Sequence, residues 1–326
     1  MQNDNPMLSV LMATHNGSDT IDRTLQAMSE LVPPAGGWKL IVVNNASTDD
    51  TEARILSWRD RLPLSYLFEP RLGKPFALNT ALERAEGDFI VMTDDDVLPE
   101  RNWLTEWRRV ADAYPQLDLF GGAIAPQFPE APPSWPMLDI HLTVLYGATP
   151  PYPEGQLESA HVLGANMAVR ARIRDRGWRF GQAFMVGAQG LMGEDSDFVR
   201  RLAGAGHGVG FAPGALVHHI IHPEQMSWWW MQRRFFRHGR TVYVLEVAES
   251  GETDERRGAR FPRWRIRRAA TLALQFLLAL PTRDRGRIFA PATSLAYELG
   301  ALKQAWSMRS GRGSRLAEIG SPPRAS

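Results

Sequence analysis

Short apolar runs and helical-period stretches alternate along the first part of the chain. Met7 to Ala13, Leu40 to Val43, Leu64 to Phe68 and Phe89 to Met92 are the apolar runs. Runs of this length, each followed by polar residues and then a helical pattern, predict βαβ units whose strands are buried on both faces. Thr20 or Asp19 can cap a helix reaching Leu31, and Ser47-Thr48-Asp49 can cap another through Trp58. Helices are expected over Phe76 to Arg84 and Trp103 to Tyr114, with a strand near Leu117 to Gly121. Pro126 to Pro153 is proline-rich and has little period, so it reads as a long irregular segment, a lid or an acceptor-binding wall. Regular structure resumes at Val162 to Val169, a helix from Asp195 to Ala203, and Val209 to Val217. Further apolar helical stretches cover Ala269 to Leu280 and Ile288 to Trp306.

Composition adds limits to this picture. With 326 residues, 44% hydrophobic, the chain can bury the core of one large or two medium domains. It has no cysteine, which excludes a disulfide scaffold, a thiolate metal site and a cysteine nucleophile. Met1 to Pro6 has no secretory character, so a cytoplasmic catalytic part is expected. The net charge of +1 hides an asymmetry: from Arg256 onward 15 basic residues face 3 acidic ones, a net +12, and the preceding residues carry 22 against 33, a net −11. The expected organisation is a catalytic domain over 1–248, a linker over 249–263, a basic helical extension over 264–308 and a disordered tail over 309–326.

Candidate chemistry lies where the apolar runs end. Asp94, Asp95 and Asp96 follow the Phe89 to Thr93 run, at the carboxyl edge where open α/β sheets hold ligands. Carboxylates this close repel one another unless cations or donors compensate, and a hard divalent cation shared with phosphate oxygens does so. A solvated turn is the plainer alternative. Thr14-His15-Asn16, Asn44 to Asp49 and Arg71-Leu72-Gly73-Lys74 should share that edge, with Asn79 just beyond. Lys74, following Gly73, is either a solvated cation or a phosphate contact.

The order of these motifs resembles the inverting glycosyltransferases of family 2, from about Met7 to Arg240. The resemblance implies a GT-A fold: a mostly parallel central sheet with helices on both faces, here with a C-terminal helical extension. It implies that Asp94-Asp95-Asp96 is the Asp-x-Asp element that binds metal and donor diphosphate, with Mn²⁺ or Mg²⁺ as cofactor. Leu163 to Arg170 looks like the family's Gly-x-Asn segment beside the acceptor, through Asn166. Gly193-Glu194-Asp195-Ser196-Asp197 looks like its Glu-Asp-x-Asp motif, whose aspartate, here Asp195, is the catalytic base. Pro213 to His219 resembles the segment whose histidine completes the metal site, with His219 matching better than His218. The expected donor contacts are therefore Thr14, Asn16, Asn44, Lys74, Asn79, Asp94 and Asp95. The acceptor contacts are Asn166, Glu194 and Trp228, the metal ligands are Asp94, Asp96 and His219, and Asp195 is the base.

Two departures refine the expectation. Asn44 stands where the family often has a uracil-reading aspartate, so a UDP-sugar is favoured but the base is open. Gln232-Arg233-Arg234-Phe235 only partly echoes the Gln-x-x-Arg-Trp of processive synthases, which favours a single addition to a glycan or lipid-linked acceptor. Residues 263–287 place an apolar stretch between arginines and predict an anionic membrane surface as partner, with a helical hairpin packed on the catalytic domain as the alternative. Trp228-Trp229-Trp230 fits that surface, a sugar platform or core packing. No nucleic-acid recognition motif accompanies the basic charge. The competing functions are a non-catalytic nucleotide-sugar-binding or scaffold protein and a sugar nucleotidyltransferase, whose arginine-containing glycine-rich loop is missing.

Overall fold

The computed structural model describes residues 7–134, 139–157, 162–181, 191, 193–249 and 262–309. β1 (Leu8–Thr14), β2 (Trp38–Asn44), β3 (Leu64–Phe68) and β4 (Phe89–Asp94) run parallel in the order β3-β2-β1-β4. Side chains alternate across these strands. Leu8, Val10 and Met12 pack on one face under α1 (Ile21–Ser29), α2 (Thr51–Leu56) and α4 (Trp103–Ala113). Leu11, Ala13, Ile41 and Val43 pack on the other under α3 (Lys74–Arg84) and α7 (Glu194–Gly204). Burial on both faces explains why β1, β2 and β4 read as continuous apolar runs, whereas the edge strand β3 is only half-buried.

The sheet continues as β4-β8-β6-β9-β5, formed by β5 (Val97–Pro99), β6 (Leu119–Gln127), β8 (Asn166–Arg170) and β9 (Val209–Ile220); β7 (Gly155–Gln156) also pairs with β9. β8 lies antiparallel between β4 and β6, a reversal that its apolar composition does not encode. Asp95 and Asp96 form a tight turn into β5, which pairs antiparallel with β9 before α4 begins at Trp103.

Several boundaries move. α2 starts at Thr51, because Asp49 bonds the Thr51 backbone N–H at 3.1 Å instead of capping an earlier turn. Thr20 precedes α1 but its hydroxyl bonds Gly17 O, making no side-chain cap. The segment Pro126 to Pro153 is not wholly irregular, since it holds the end of β6 and α5 (Asp139–Tyr146). α6 (Ala171–Asp175) follows β8. α8 (Trp228–Glu249), α9 (Arg263–Ala279) and α10 (Arg285–Arg309) complete the described chain. The expected linker and tail fall largely on residues 250–261 and 310–326, and the N-terminal reading on 1–6, all outside the described residues.

One joint holds the two halves of the sheet in phase. The β6–β9 register slips between Gly122 and Ala123: Gly122 pairs with Ala212 but Ala123 with Leu216. Residues 213–215 therefore form a bulge. Asn166, fully buried, fills it: its Nδ2 donates to Ala123 O at 2.8 Å and Ala215 O at 2.7 Å, and its Oδ1 accepts from Trp103 Nε1 at 2.9 Å. A Cβ on Gly122 would sit 2.4 Å from that Nδ2, so only glycine leaves room. Asn166 is thus a structural bolt, contrary to its expected place against the acceptor.

Asn166→Ala strands one indole donor and two carbonyls in the core. The expected loss is about 3 kcal/mol or more of stability, from ~1–3 kcal/mol per stranded buried group. Denaturant unfolding measures it, and an unchanged midpoint would refute the joint.

Candidate functional site

The parallel strands end together: Thr14 is level with Asn44, and Ala13 with Asp94. A cleft of about 190 Å³ opens there, lined by Thr14, His15, Asn45, Lys74, Asp94, Asp95 and Asp96 among others. A larger groove of about 590 Å³ beneath β3 contains none of these carboxylates and stands apart from the chemistry.

Each aspartate of the triplet meets a different partner. Asp94 forms an ion pair with Lys74. Burial would lower the Lys74 ammonium, but Asp94, Glu194 and Asp195 outweigh it and hold its pKa above the ordinary value. Asp95 takes the Thr14 hydroxyl, and a Cβ on Gly17 would come within 2.2 Å of Asp95 Oδ2. Burial, joined by the charges of Asp96 and Asp94, pushes the Asp95 carboxyl up to about 7. Asp96 faces His219, with Nε2 3.2 Å from Oδ2. Burial works to raise Asp96, but His219 more than offsets it and leaves its pKa lowered. Burial likewise opposes the His219 imidazolium, while Asp96 raises its pKa.

His219 arrives through β9, whose pairing sets it opposite Val97 next to the triplet. Its Nδ1 donates to Tyr146 O at 2.6 Å, in the last turn of α5. That bond leaves Nε2 as the ligand nitrogen of the neutral ring. His218 points the other way, to Glu100 at 2.7 Å. Among the described residues no three of His, Cys, Asp and Glu converge as a preformed ion cage. Asp96 Oδ1 is nevertheless buried without a partner, beside a histidine oriented by its far nitrogen. This donor set fits an octahedral cation that takes one or two protein ligands and completes its shell with phosphate.

Across the cleft, Gly193 and α7 present Glu194 and Asp195. Asp195 Oδ1 accepts from Ser196 N at 2.7 Å, and Oδ2 from Gly164 N at 2.8 Å. A carboxylate has further lone pairs, so these bonds orient it and still leave acceptor capacity. Burial, and then the Asp195 charge, raise the pKa of Glu194.

The remaining expected contacts divide. Asn16 bonds Thr48 N and, through its own N–H, Ser47, fastening the loops after β1 and β2 together. Asn45, placed on this edge by the sequence but given no contact of its own, accepts from Gly73 N at 2.6 Å and donates to Glu69 O and Arg71 O, which sets the approach of Lys74. Three expectations change. Asn44 is 1% exposed, and its amide is engaged by Tyr66 OH and Ser47 N, so it supports the loop. Asn79 closes a paired bond with the backbone of Phe180 and leaves the donor cleft. Trp228, half-buried, packs edge-on against Phe289 in the α5–α8–α10 core.

Arg234 was visible only as part of an incomplete motif. From α8 it donates Nε–H to Val144 O at 3.0 Å, close enough to Asp195, Asp96 and Glu194 for their charges to act on it. Burial and Arg237 lower its pKa against that attraction. The last-turn carbonyls of α5 thus hold both a histidine and an arginine, as a helix C-terminus favours.

A mostly parallel sheet with its cleft at the carboxyl edge is the architecture of the GT-A glycosyltransferases. Residues 9–175 match the family model described as Glycosyl transferase family 2, and the chain belongs to that family. It is 28% identical over 221 residues to the succinoglycan biosynthesis protein ExoM of Rhizobium meliloti (strain 1021), covering 67% of this chain and 68% of that one. It is 25% identical to the probable glycosyltransferase YdaM of Bacillus subtilis (strain 168) over 74% of this chain, but that match spans only 57% of the relative. A mannosyltransferase from Pyrobaculum calidifontis, solved in complex with GDP-Man and Mn²⁺, shares the fold with a TM-score of 0.64 at 20% identity, over 93% of this chain and 88% of that one. S. aureus TarS 1-349 in complex with UDP superimposes with a TM-score of 0.52 at 16% identity, over 94% and 92%. The protein is a glycosyltransferase.

The raised Asp95 pKa has a defined sign. The folded state prefers the protonated carboxyl, so this group's contribution to stability is present below its unfolded value near 3.8 and is lost as pH rises toward about 7. Asp95→Asn should therefore gain melting temperature relative to the parent as pH increases through that window, measured in EDTA. A difference that does not vary with pH would contradict the assignment.

Proposed function

We propose that the protein transfers a sugar from a nucleotide-diphosphate donor to a hydroxyl of a glycan or lipid-linked acceptor, with inversion, by a single displacement. The observation that carries this reading is the pairing of Asp96 and His219 at the strand edge, across from the oriented carboxylate of Asp195. Asp195 takes the proton of the acceptor hydroxyl as its oxygen bonds to the anomeric carbon, and the bond from that carbon to the diphosphate breaks. The backbone N–H groups of Gly164 and Ser196 keep the carboxylate aimed. Lys74 and Arg234 place positive charge on two sides of the departing diphosphate.

Asp96 and His219, with Asp94 alongside, would hold Mn²⁺ or Mg²⁺, and a bound cation supplies charge stabilisation to the leaving group. Asp94 is paired with Lys74 beside this set. The Mn²⁺ and GDP-Man bound by the Pyrobaculum enzyme support this donor chemistry. The UDP bound by TarS supports a uridine donor equally, and Asn44 distinguishes neither. The naming of ExoM for succinoglycan biosynthesis supports a glycan acceptor.

A panel of UDP-, GDP- and TDP-sugars, screened by thermal shift with and without Mn²⁺, should yield one donor whose stabilisation requires the metal. No response from any of them would overturn the donor assignment. Asp195→Asn should retain that shift and lose transfer by roughly a thousandfold or more, whereas a variant retaining near-parental turnover would remove Asp195 as base. Arg234→Gln should raise KM for the donor and lower kcat by roughly tenfold or more, with the metal-dependent shift weakened; unaltered kinetics would remove it from the diphosphate site.

A further inference from the structure

The outward face of α9 has no partner among the described residues, although the helix is firmly held from behind. On its inner side Arg265 is 2% exposed and bonds Glu298 of α10 at 2.8 Å and Glu246 of α8. Ala269 is buried beside it, and Arg268 reaches the same Glu298. These contacts fix the rotation of the helix. Ile266, Leu274, Leu277 and Leu278 consequently face solvent, 47–68% exposed, and Leu280 extends the row past the helix end. Leaving a leucine row in water is unfavourable, and a row this long marks a contact surface.

The charge around the row identifies the occupant. Arg263, Arg267 and Arg268 are exposed at one end, and Arg283, Arg285 and Arg287 at the other. Between residues 262 and 287, Asp284 is the sole acidic residue against seven arginines. A second copy would bring the same cationic ends together, so self-pairing through this face meets like-charge repulsion. An anionic bilayer supplies opposite charge at both ends and an acyl boundary between them. α9 is about 25 Å long at 1.5 Å per residue, and no helix of the described residues is long and apolar enough to cross a membrane. The fitting geometry is a helix lying in the plane of the surface.

We propose that the Ile266–Leu280 face of α9, with its flanking arginines, docks the protein on an anionic lipid bilayer. This surface is separate from the donor cleft, and its test uses no sugar donor, so it stands or falls apart from the transfer reaction. The full chain is sedimented with vesicles of phosphatidylglycerol and phosphatidylcholine in equal parts, and with phosphatidylcholine alone, at low and high salt. Binding is expected only to the anionic vesicles and should weaken as salt rises. The triple variant Leu274→Glu, Leu277→Glu, Leu278→Glu should bind roughly tenfold or more weakly with unchanged circular dichroism. Arg283→Gln with Arg287→Gln, which leaves the apolar row intact, should weaken binding at low salt more than at high salt. Failure of the parent chain to sediment, or equal sedimentation of parent and triple variant, overturns the proposal. So does a parent dimer in solution that the triple variant converts to monomer, because the face would then be covered by a second copy.

Discussion

Negative charge crowded at one sheet edge is the constraint around which the rest is arranged. Five carboxylates, Asp94, Asp95, Asp96, Glu194 and Asp195, lie near one another, where mutual repulsion and burial would each raise their pKa values. The fold answers each one differently. Asp94 receives an ammonium, Asp95 shifts toward its neutral form beside a threonine hydroxyl, Asp96 receives an imidazole, and Asp195 receives two backbone N–H groups. Glu194 accepts from the Gly193 N–H and has a raised pKa. The compensation is local and unequal, so the five groups are chemically distinct despite their shared type.

Supplying these partners explains much of the surrounding structure. Lys74 stands at the start of α3 because Asn45 grips Gly73, and the buried Glu69 binds Arg71 and Thr80. His219 reaches Asp96 because β9 bulges at residues 213–215 and Asn166 secures that bulge. The last turn of α5 then fixes the ring of His219 and the side chain of Arg234 through neighbouring carbonyls. The segment expected to be an irregular wall thus orients an imidazole and a guanidinium of the site.

The sequence made the local features legible. Apolar runs located β1, β2 and β4, because burial on both faces leaves a signal that needs no knowledge of partners. The strand-end residues followed from topology, and the motif order identified the family. Features that depend on distant partners were hidden. Asn79 and Phe180 are 101 positions apart, so nothing near Asn79 announces that its amide is occupied. Asn166 reads as a site residue because its segment resembles the family's Gly-x-Asn, and its partners Trp103, Ala123 and Ala215 lie far away in the sequence. The antiparallel entry of β8 leaves no periodic mark, and α8, apolar on several sides with a run of tryptophans, shows no clear amphipathic stripe.

The adjacent histidines of β9 acquire a particular meaning beside the bulge. Along a strand, a one-residue slip exchanges the two faces, so it would normally replace an inward side chain by an unrelated outward one. Here the outward neighbour of His219 is His218, held on the opposite side by Glu100. Gaining a single residue in the bulge would bring His218 into the place of His219, and an imidazole would still confront Asp96; losing one would bring Ile220 there instead. The doubled histidine makes this position tolerant of a one-residue gain at the point in the sheet where the register slips.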